Sequence, residues 1–434
     1  MKHIAAFLCV AVFVWIAAGR FSAPPTHSNQ ISSTLIRSPY DPTLTDRTLA
    51  DYAASVKNSP QNAIGYHLLS ECYLRRCRET GDLGDAIRAE QAARKSLEIR
   101  TNNNQAAAHA LAQTLIVQHK FREGYKTLKD FGLISPNSGS ATLAVEILIE
   151  LGDYAGAAKT FNDVVTDRTG VGSKVAQARL SEINGHTDRA ISLLREAEFK
   201  TDRNYDMPHE SAAWFHLREG DLLSLAGKPN EAEAAYKTAL SIFPKDFKAM
   251  TGLAKLAAGK EDWSSVLIWG RQAAEIVPAP EIVSLLGDAY LATGKTKEAE
   301  EQFQLIEAMG RISRSNGTVF DRQRAIFCAD HNRNLDEALS LARRELDLRK
   351  DIYAYDTLAW VCYKKGLLLE ADKMMQKALG QGAQDAKLYF HAGMIANALG
   401  NKMEAKRQLR QSLELNPHFL PFAPQQARTT LAQL

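Results

Sequence analysis

Histidine, glutamate and cysteine are the residues of this chain whose spacing could do chemistry. His209 and Glu210 begin a pair like that of zinc proteases, where two histidines four apart on one helix face grip a metal. The second histidine, His216, lies seven residues on, and no third ligand is evident. Cys72 and Cys77 are five apart, which does not fit the two-residue spacing of a zinc site. Those two, with Cys328 and Cys362 in apolar stripes, read as buried inert thiols. A Cys72–Cys77 disulfide stays open if the chain is exported. His331 and His391 fall on helices and read as solvated or partly packed rings. There is no glycine-rich phosphate loop followed by Lys-Ser/Thr and no nucleophile elbow. Asn316-Gly317-Thr318 is a glycosylation triplet by pattern only. These residues assign no catalytic set, no metal site and no cofactor, so the chain does not read as an enzyme.

Composition narrows what could position them. The 434 residues are 45% apolar and 24% charged, with a formal net charge of +3, which excludes disorder of the whole. So even a balance gives no field for nucleic acid or an anionic membrane. Five cysteines at this length are not a disulfide scaffold. The N-terminus departs from the average. Lys2 precedes an apolar run over 4–18 that Arg20 closes, too short for a comfortable span of about 20 residues. Residues 1–23 read first as a cleaved signal peptide, with Ala17-Ala18-Gly19 as a small-residue cut site, and second as an uncleaved anchor. Either outcome exports the chain. Residues 24–45 are rich in Ser, Thr and Pro and read as a flexible linker. A helical pattern begins near Asp46.

Self-similarity decides the architecture. Around Ala232 stand Gly220, Gly227, Tyr236, Ala239 and Pro244. The same skeleton recurs around Ala299 (Gly287, Gly294, Phe303), Ala157, Ala190, Ala371 and Ala405, with weaker copies at Ala89, Gly124, Val266 and Ala338. Successive anchors are 35, 33, 33, 42, 34, 33, 39, 33 and 34 residues apart. Apolar residues three and four apart on both sides of each glycine give two helices, each with one buried stripe. Gly227, Gly294, Gly366 and Gly400 sit where the first helix must stop. Gly220, Gly287 and Gly393 allow close helix approach, and Tyr236, Phe303 and Phe161 fill the space between units. One pair cannot bury both faces, so the pairs must stack.

These residues are those of the tetratricopeptide repeat, and the chain resembles that family strongly. The resemblance implies an all-α, right-handed superhelical solenoid of about ten helix pairs over 62–420, with capping helices over 46–61 and 421–434. The unit at Val266 departs most, with Gly270 where a bulky aromatic is expected, which implies a looser joint. Insertions at 199–207 and 314–318 read as loops, either tolerated additions or the rim of a binding face. The family's clamp of lysines and asparagines for a C-terminal carboxylate is not matched. Its inward slots hold Asp288, Phe327, Trp360 and Met394.

First-helix residues alternate between the interior and a concave groove. With Tyr355, Leu358 and Ala359 in packing slots, the groove is expected to be faced by Tyr353, Asp356, Trp360 and Tyr363. The next unit adds Phe390, Met394 and Asn397, and the previous one Phe320 and Phe327. Earlier units put Lys248, Thr251 and Lys255, or Glu281, Ser284 and Asp288, at the same slots. The rings form either an apolar patch kept for a partner or a cluster packed under the C-terminal cap. The resulting expectation is a non-catalytic scaffold binding a protein or peptide through its concave face, periplasmic or extracellular, with no nucleic acid. Membrane contact is expected only through the N-terminal segment, as a tether to the inner membrane, if it is not cleaved. The second readings are an envelope assembly or secretion accessory factor and a regulator of an envelope enzyme.

Overall fold

A computed structural model describes residues 38–136, 138–201, 206–316 and 321–434, so the leader and most of the linker lie outside the described residues. Among the described residues the regular structure is 22 helices and no strand. Helix α1 (Leu44–Asn58) stands alone at one end. Helical hairpins follow: α2 (Ala63–Thr80) with α3 (Leu83–Ile99), α4 (Gln105–Val117) with α5 (Phe121–Asp130), and α6 (Ala141–Leu151) with α7 (Tyr154–Val164). Next come α8 (Val171–Ile183) with α9 (Thr187–Thr201), α10 (His209–Leu225) with α11 (Pro229–Ile242), and α12 (Phe247–Gly259) with α13 (Trp263–Ile276). Then follow α14 (Pro280–Ala292) with α15 (Thr296–Asn316), and α16 (Asp321–Asp330) with α17 (Leu335–Leu348). The last pairs are α18 (Ile352–Lys364) with α19 (Leu368–Leu379) and α20 (Ala386–Ala398) with α21 (Lys402–Leu415), and α22 (Ala423–Gln433) closes the chain.

Local chemistry sets the helix ends. Asn62, Asp246, Asp351 and Asn401 each accept a backbone N–H of the first turn, the N-cap role their short polar side chains suit. Most first helices stop at a left-handed residue, Gly227 (φ +70°) and Gly366 (φ +77°) among them. Where the repeat lacks that glycine, His119, Glu261 and Asn332 take the positive φ instead. The close-approach glycines act on a particular partner. A Cβ on Gly220 or on Gly252 would lie 2.5 Å from the ring of Tyr236, so this one ring joins its own unit to the next. The joint at Gly270 is not loose, contrary to expectation: Leu286 fills the space, its Cδ2 2.8 Å from where a Cβ would stand. Both insertions begin as helix rather than loop, since α9 runs to Thr201 and α15 to Asn316. The described end of the linker is docked, with the Tyr40 ring against His209 and Phe243 at centroid distances of 5.6 and 5.4 Å.

The superhelix coils tightly enough for its second turn to rest on its first. Loops that join one pair to the next in the C-terminal half lie against the within-pair turns of the N-terminal half. The carbonyls of Lys350, Gly382, Leu415 and His418 sit where a Cβ would project from Gly152, Gly185, Gly227 and Gly259. Lys350 N–H donates to Leu151 O at 3.1 Å, Ile352 N–H to the Tyr154 hydroxyl at 2.8 Å, and Asn416 to Ser224 O at 2.8 Å. A buried ion cluster reinforces this seam. Arg349 bridges Glu150 of the first turn (2.9 Å) and Glu345 of the second (2.6 Å), while Arg322 holds Glu345 (3.1 Å) and Asp351 (2.5 Å).

Candidate functional site

Helices α16, α18 and α20 bring most of the expected groove residues together, but inside the coil. Trp360 is 4% and Phe390 2% exposed, and Phe327, Met394 and Asp356 are also buried. The expectation of an exposed aromatic face is corrected for these five. Their inward side meets other rings and the far end of the chain instead of an open groove. The Trp360 ring stacks on His391 (4.0 Å) and on Tyr363 (4.9 Å), and its indole N–H donates to Asp330 at 2.7 Å. Phe390 reaches Phe419, and Thr430 of α22 donates to the Met394 sulfur at 3.7 Å. Phe327 packs with Phe303 and His331. Tyr353, Tyr363 and Asn397 are half-buried, and the Lys387 ammonium lies 5.4 Å over the Tyr353 ring. Phe320 lies outside the described residues. The packing of these rings against the C-terminal end matches the second of the two roles weighed for them.

Charges inside the coil are matched. Asp356 takes His391 Nδ1 at 2.6 Å and Lys387 Nζ at 3.0 Å. Burial alone would push its carboxyl up, but His391 and Lys387 outweigh this and hold it well below the usual range. His391 is therefore an enclosed ring hydrogen-bonded to Asp356, not a solvated one. His331 stands just past α16, half-buried, with Nε2 2.9 Å from Asp288. Burial opposes its charge, yet the Asp288 carboxylate raises its pKa. A second ladder runs across α6, α8 and α10: Arg179 pairs with Glu150 (3.2 Å) and Glu182 (2.6 Å), and Arg218 with Glu182 (3.0 Å) and Asp221 (2.9 Å). Glu146 stands 3.6 Å from Arg179, and burial lifts its carboxyl to about 7 against that arginine's pull. Sequence reasoning missed these ladders, because although Arg179–Glu182 and Arg218–Asp221 are three apart on one helix, the pairs that link them, Arg179–Glu150 and Arg218–Glu182, join different units.

The zinc-like residues separate. His209 Nε2 is 2.8 Å from Ser38 O, and Glu210 pairs with Arg78 at 3.0 Å. His216 instead meets Glu198 and Glu219, with one candidate ligand atom from each residue and all of them within 4.8 Å of one another. Arg195 already holds Glu219 at 2.6 Å, and His216 is 3.3 Å from Glu198, so this group reads as an ion pair joining α9 to α10. Cys72, Cys77, Cys328 and Cys362 are buried, and none of the four is in a disulfide. Burial pushes the thiols of Cys72 and Cys328 up to about 11, which leaves them inert.

An open concavity lies beside α9. A cavity of about 420 Å³ is lined by Ile191, Leu223 and Phe199, with Ser192, Arg195, Glu196, Asp188, Lys228 and Glu231 around them. Phe199 is 62% exposed at its edge, in the stretch inserted into the repeat. Among the described residues no helix is long and apolar enough to cross a membrane.

Helical hairpins in a stacked coil, with paired charges within it, define a repeat protein. Residues 217–279 and 386–419 match the tetratricopeptide repeat, the first from within α10 through α13 and the second over α20 and α21. The chain therefore carries tetratricopeptide repeats. Repeats of this family are generally scaffolds for protein–protein interaction, without catalysis of their own. Among solved structures, the APC/C hetero-tetramer Cut9–Hcn1 is similar at 11% identity, over 90% of this chain and 93% of that one, with a TM-score of 0.34. A tetratricopeptide repeat protein from Parabacteroides merdae is similar at 18% identity, over 60% of this chain and 97% of that one, also at 0.34. No curated protein matches the chain.

Proposed function

We propose that this protein is a non-catalytic scaffold that works outside the cytoplasm and receives a segment of a protein partner in the cleft beside α9. The observation that carries the reading is the cleft itself. It has an apolar floor of Ile191 and Leu223, an exposed ring at Phe199, and both charge signs on its rim. That is the pattern of an anchor pocket, where one buried side chain supplies affinity and the rim supplies specificity. The concave face in units α16 to α21 is occupied by its own rings and ion pairs, so a partner segment has better access at the cleft. Lys2 and the apolar run over 4–18 support the compartment.

The test is affinity capture from cell-envelope extract, followed by binding of the purified partner. Wild type should retain one partner that Phe199→Ser and Ser192→Arg both lose, while their thermal melts stay at the wild-type position. Undiminished binding by both variants refutes the cleft, and capture of no partner at all refutes the scaffold.

A further inference from the structure

The seam within the coil covers only part of the edge that it uses. The within-pair turns of the N-terminal half are capped, Gly152 by Lys350, Gly185 by Gly382, Gly227 by Leu415 and Gly259 by His418, and Gly81 by the Val277 side chain. The glycines of the later turns have the same left-handed conformation, with φ of +76°, +77° and +78° at Gly294, Gly366 and Gly400. Among the described residues nothing lies within 4 Å of a Cβ built on any of these three. The repeat therefore presents the same kind of turn along its length, and among the described residues no loop covers the turns at these three.

That uncovered stretch carries exposed apolar side chains among its charged ones. Of the eleven large apolar residues that are exposed among the described residues, five stand there: Leu291, Leu367, Leu369, Leu399 and Met403. Leu369 is 82% and Met403 85% exposed, at the start of the second helix in adjacent units. The complementary edge has exposed loops at the other end of the coil. Loop residues 101–103 and 167–169, which join early pairs, are exposed, and Ile64 is exposed at the start of α2. These are the early counterparts of the loops that carry Lys350, Gly382 and Leu415.

We propose that a second copy of this chain stacks on the first, its early between-pair loops seated on the turns at Gly294, Gly366 and Gly400. The argument is continuity. The contact repeats in trans what the second turn already does to the first in cis, with a loop carbonyl on a left-handed glycine. Leu369 and Met403 lose their exposure under it. The two edges are different surfaces, so the contact is heterologous and does not close on itself. Each added copy presents a fresh edge, and the assembly grows as a longer coil.

Sedimentation velocity of the full chain over a concentration series tests this. Wild type should show reversible association that passes beyond the dimer as concentration rises. Leu369→Lys combined with Met403→Lys should abolish it, and so should Ile64→Lys at the opposite edge. All three side chains are exposed, and unchanged circular dichroism melts will confirm that the variants fold. Mixing the two variants should restore association that stops at a dimer, because each copy then keeps one competent edge. Phe199→Ser should associate as wild type does, which separates this contact from the partner cleft. A wild-type chain that stays monomeric up to near-millimolar concentration overturns the proposal. So does a dimer that never grows, or association that survives both edge variants.

Discussion

Gly287→Ala adds one methyl group in a helix, where propensity alone would favour alanine by about 1 kcal/mol. The structure predicts the opposite sign. A Cβ on Gly287 would stand 2.9 Å from both Cδ1 and Cζ of Phe303, and closer still to Cε1. Comfortable carbon–carbon contact is about 3.5–4.0 Å, so the ring would have to retreat by roughly an ångström. It has nowhere to go. Phe327 and His331 pack against it at 5.5 and 4.6 Å, and the Arg333 guanidinium lies 5.0 Å over its face. Overpacking of this kind costs about 1–3 kcal/mol, which outweighs the gain in propensity. Urea unfolding followed by far-ultraviolet circular dichroism should show Gly287→Ala less stable than wild type, and Gly287→Leu less stable again. Shortening the opposing ring is the control. In the Phe303→Leu background the cost of Gly287→Ala should shrink, a coupling that two independent sites would not show. If Gly287→Ala raises stability in the wild-type background, the close approach of α14 and α15 is wrong.

The turn glycines answer to conformation instead: Gly294→Asn should be tolerated better than Gly294→Val, since only asparagine readily adopts a φ of +76°, and equal melts would remove that assignment. Trp360→Ala and Phe390→Ala should each cost about 3–5 kcal/mol, as for other buried aromatic residues, and wild-type melts in both would return these rings to an exposed groove. Glu146, with its carboxyl raised to about 7, favours the folded state most below its ordinary range, near 4.5, and loses that contribution as pH rises through about 7. Glu146→Gln should flatten the stability profile over that window and be the more stable protein at its upper end; superimposable profiles would refute the burial of that acid. For export, residues 1–23 fused to alkaline phosphatase should give an active reporter, and Val12→Asp with Val14→Asp should silence it; inactivity of the intact fusion removes the compartment from the proposed function.

Much of the fold was legible in the sequence because its cause is local. Gly227 and Gly366 mark helix ends through their own backbone, and Gly287 marks a close approach through a residue sixteen positions away in its own unit. The irregular units were legible in outline only. At Gly270 the expected gap is filled by Leu286 of the following pair, which the repeat's own slots do not reveal. The inner surface was misread for a related reason. Phasing Tyr353, Trp360 and Phe390 to the inward side was sound, but whether an inward side is open depends on how tightly the coil winds. Small angles at each joint add up along the chain, and no single unit encodes their sum. The linker near Tyr40 fails in the same way, since its partners His209 and Phe243 belong to a distant unit.

The seam also bears on how such a chain can change over generations. Repeat arrays ordinarily gain and drop units with little damage, because each unit meets only its neighbours. Here Tyr154 meets Ile352 across 198 residues, Glu150 meets Arg349 across 199, and Ser224 meets Asn416 across 192. Deleting one unit from that interval would carry every later loop past its glycine and every later arginine past its carboxylate. The complement of units in a turn is therefore inherited as a block. Point changes and additions such as those after Phe199 are absorbed between joints, whereas duplication or loss of a whole unit between Glu150 and Asn416 puts the seam out of register.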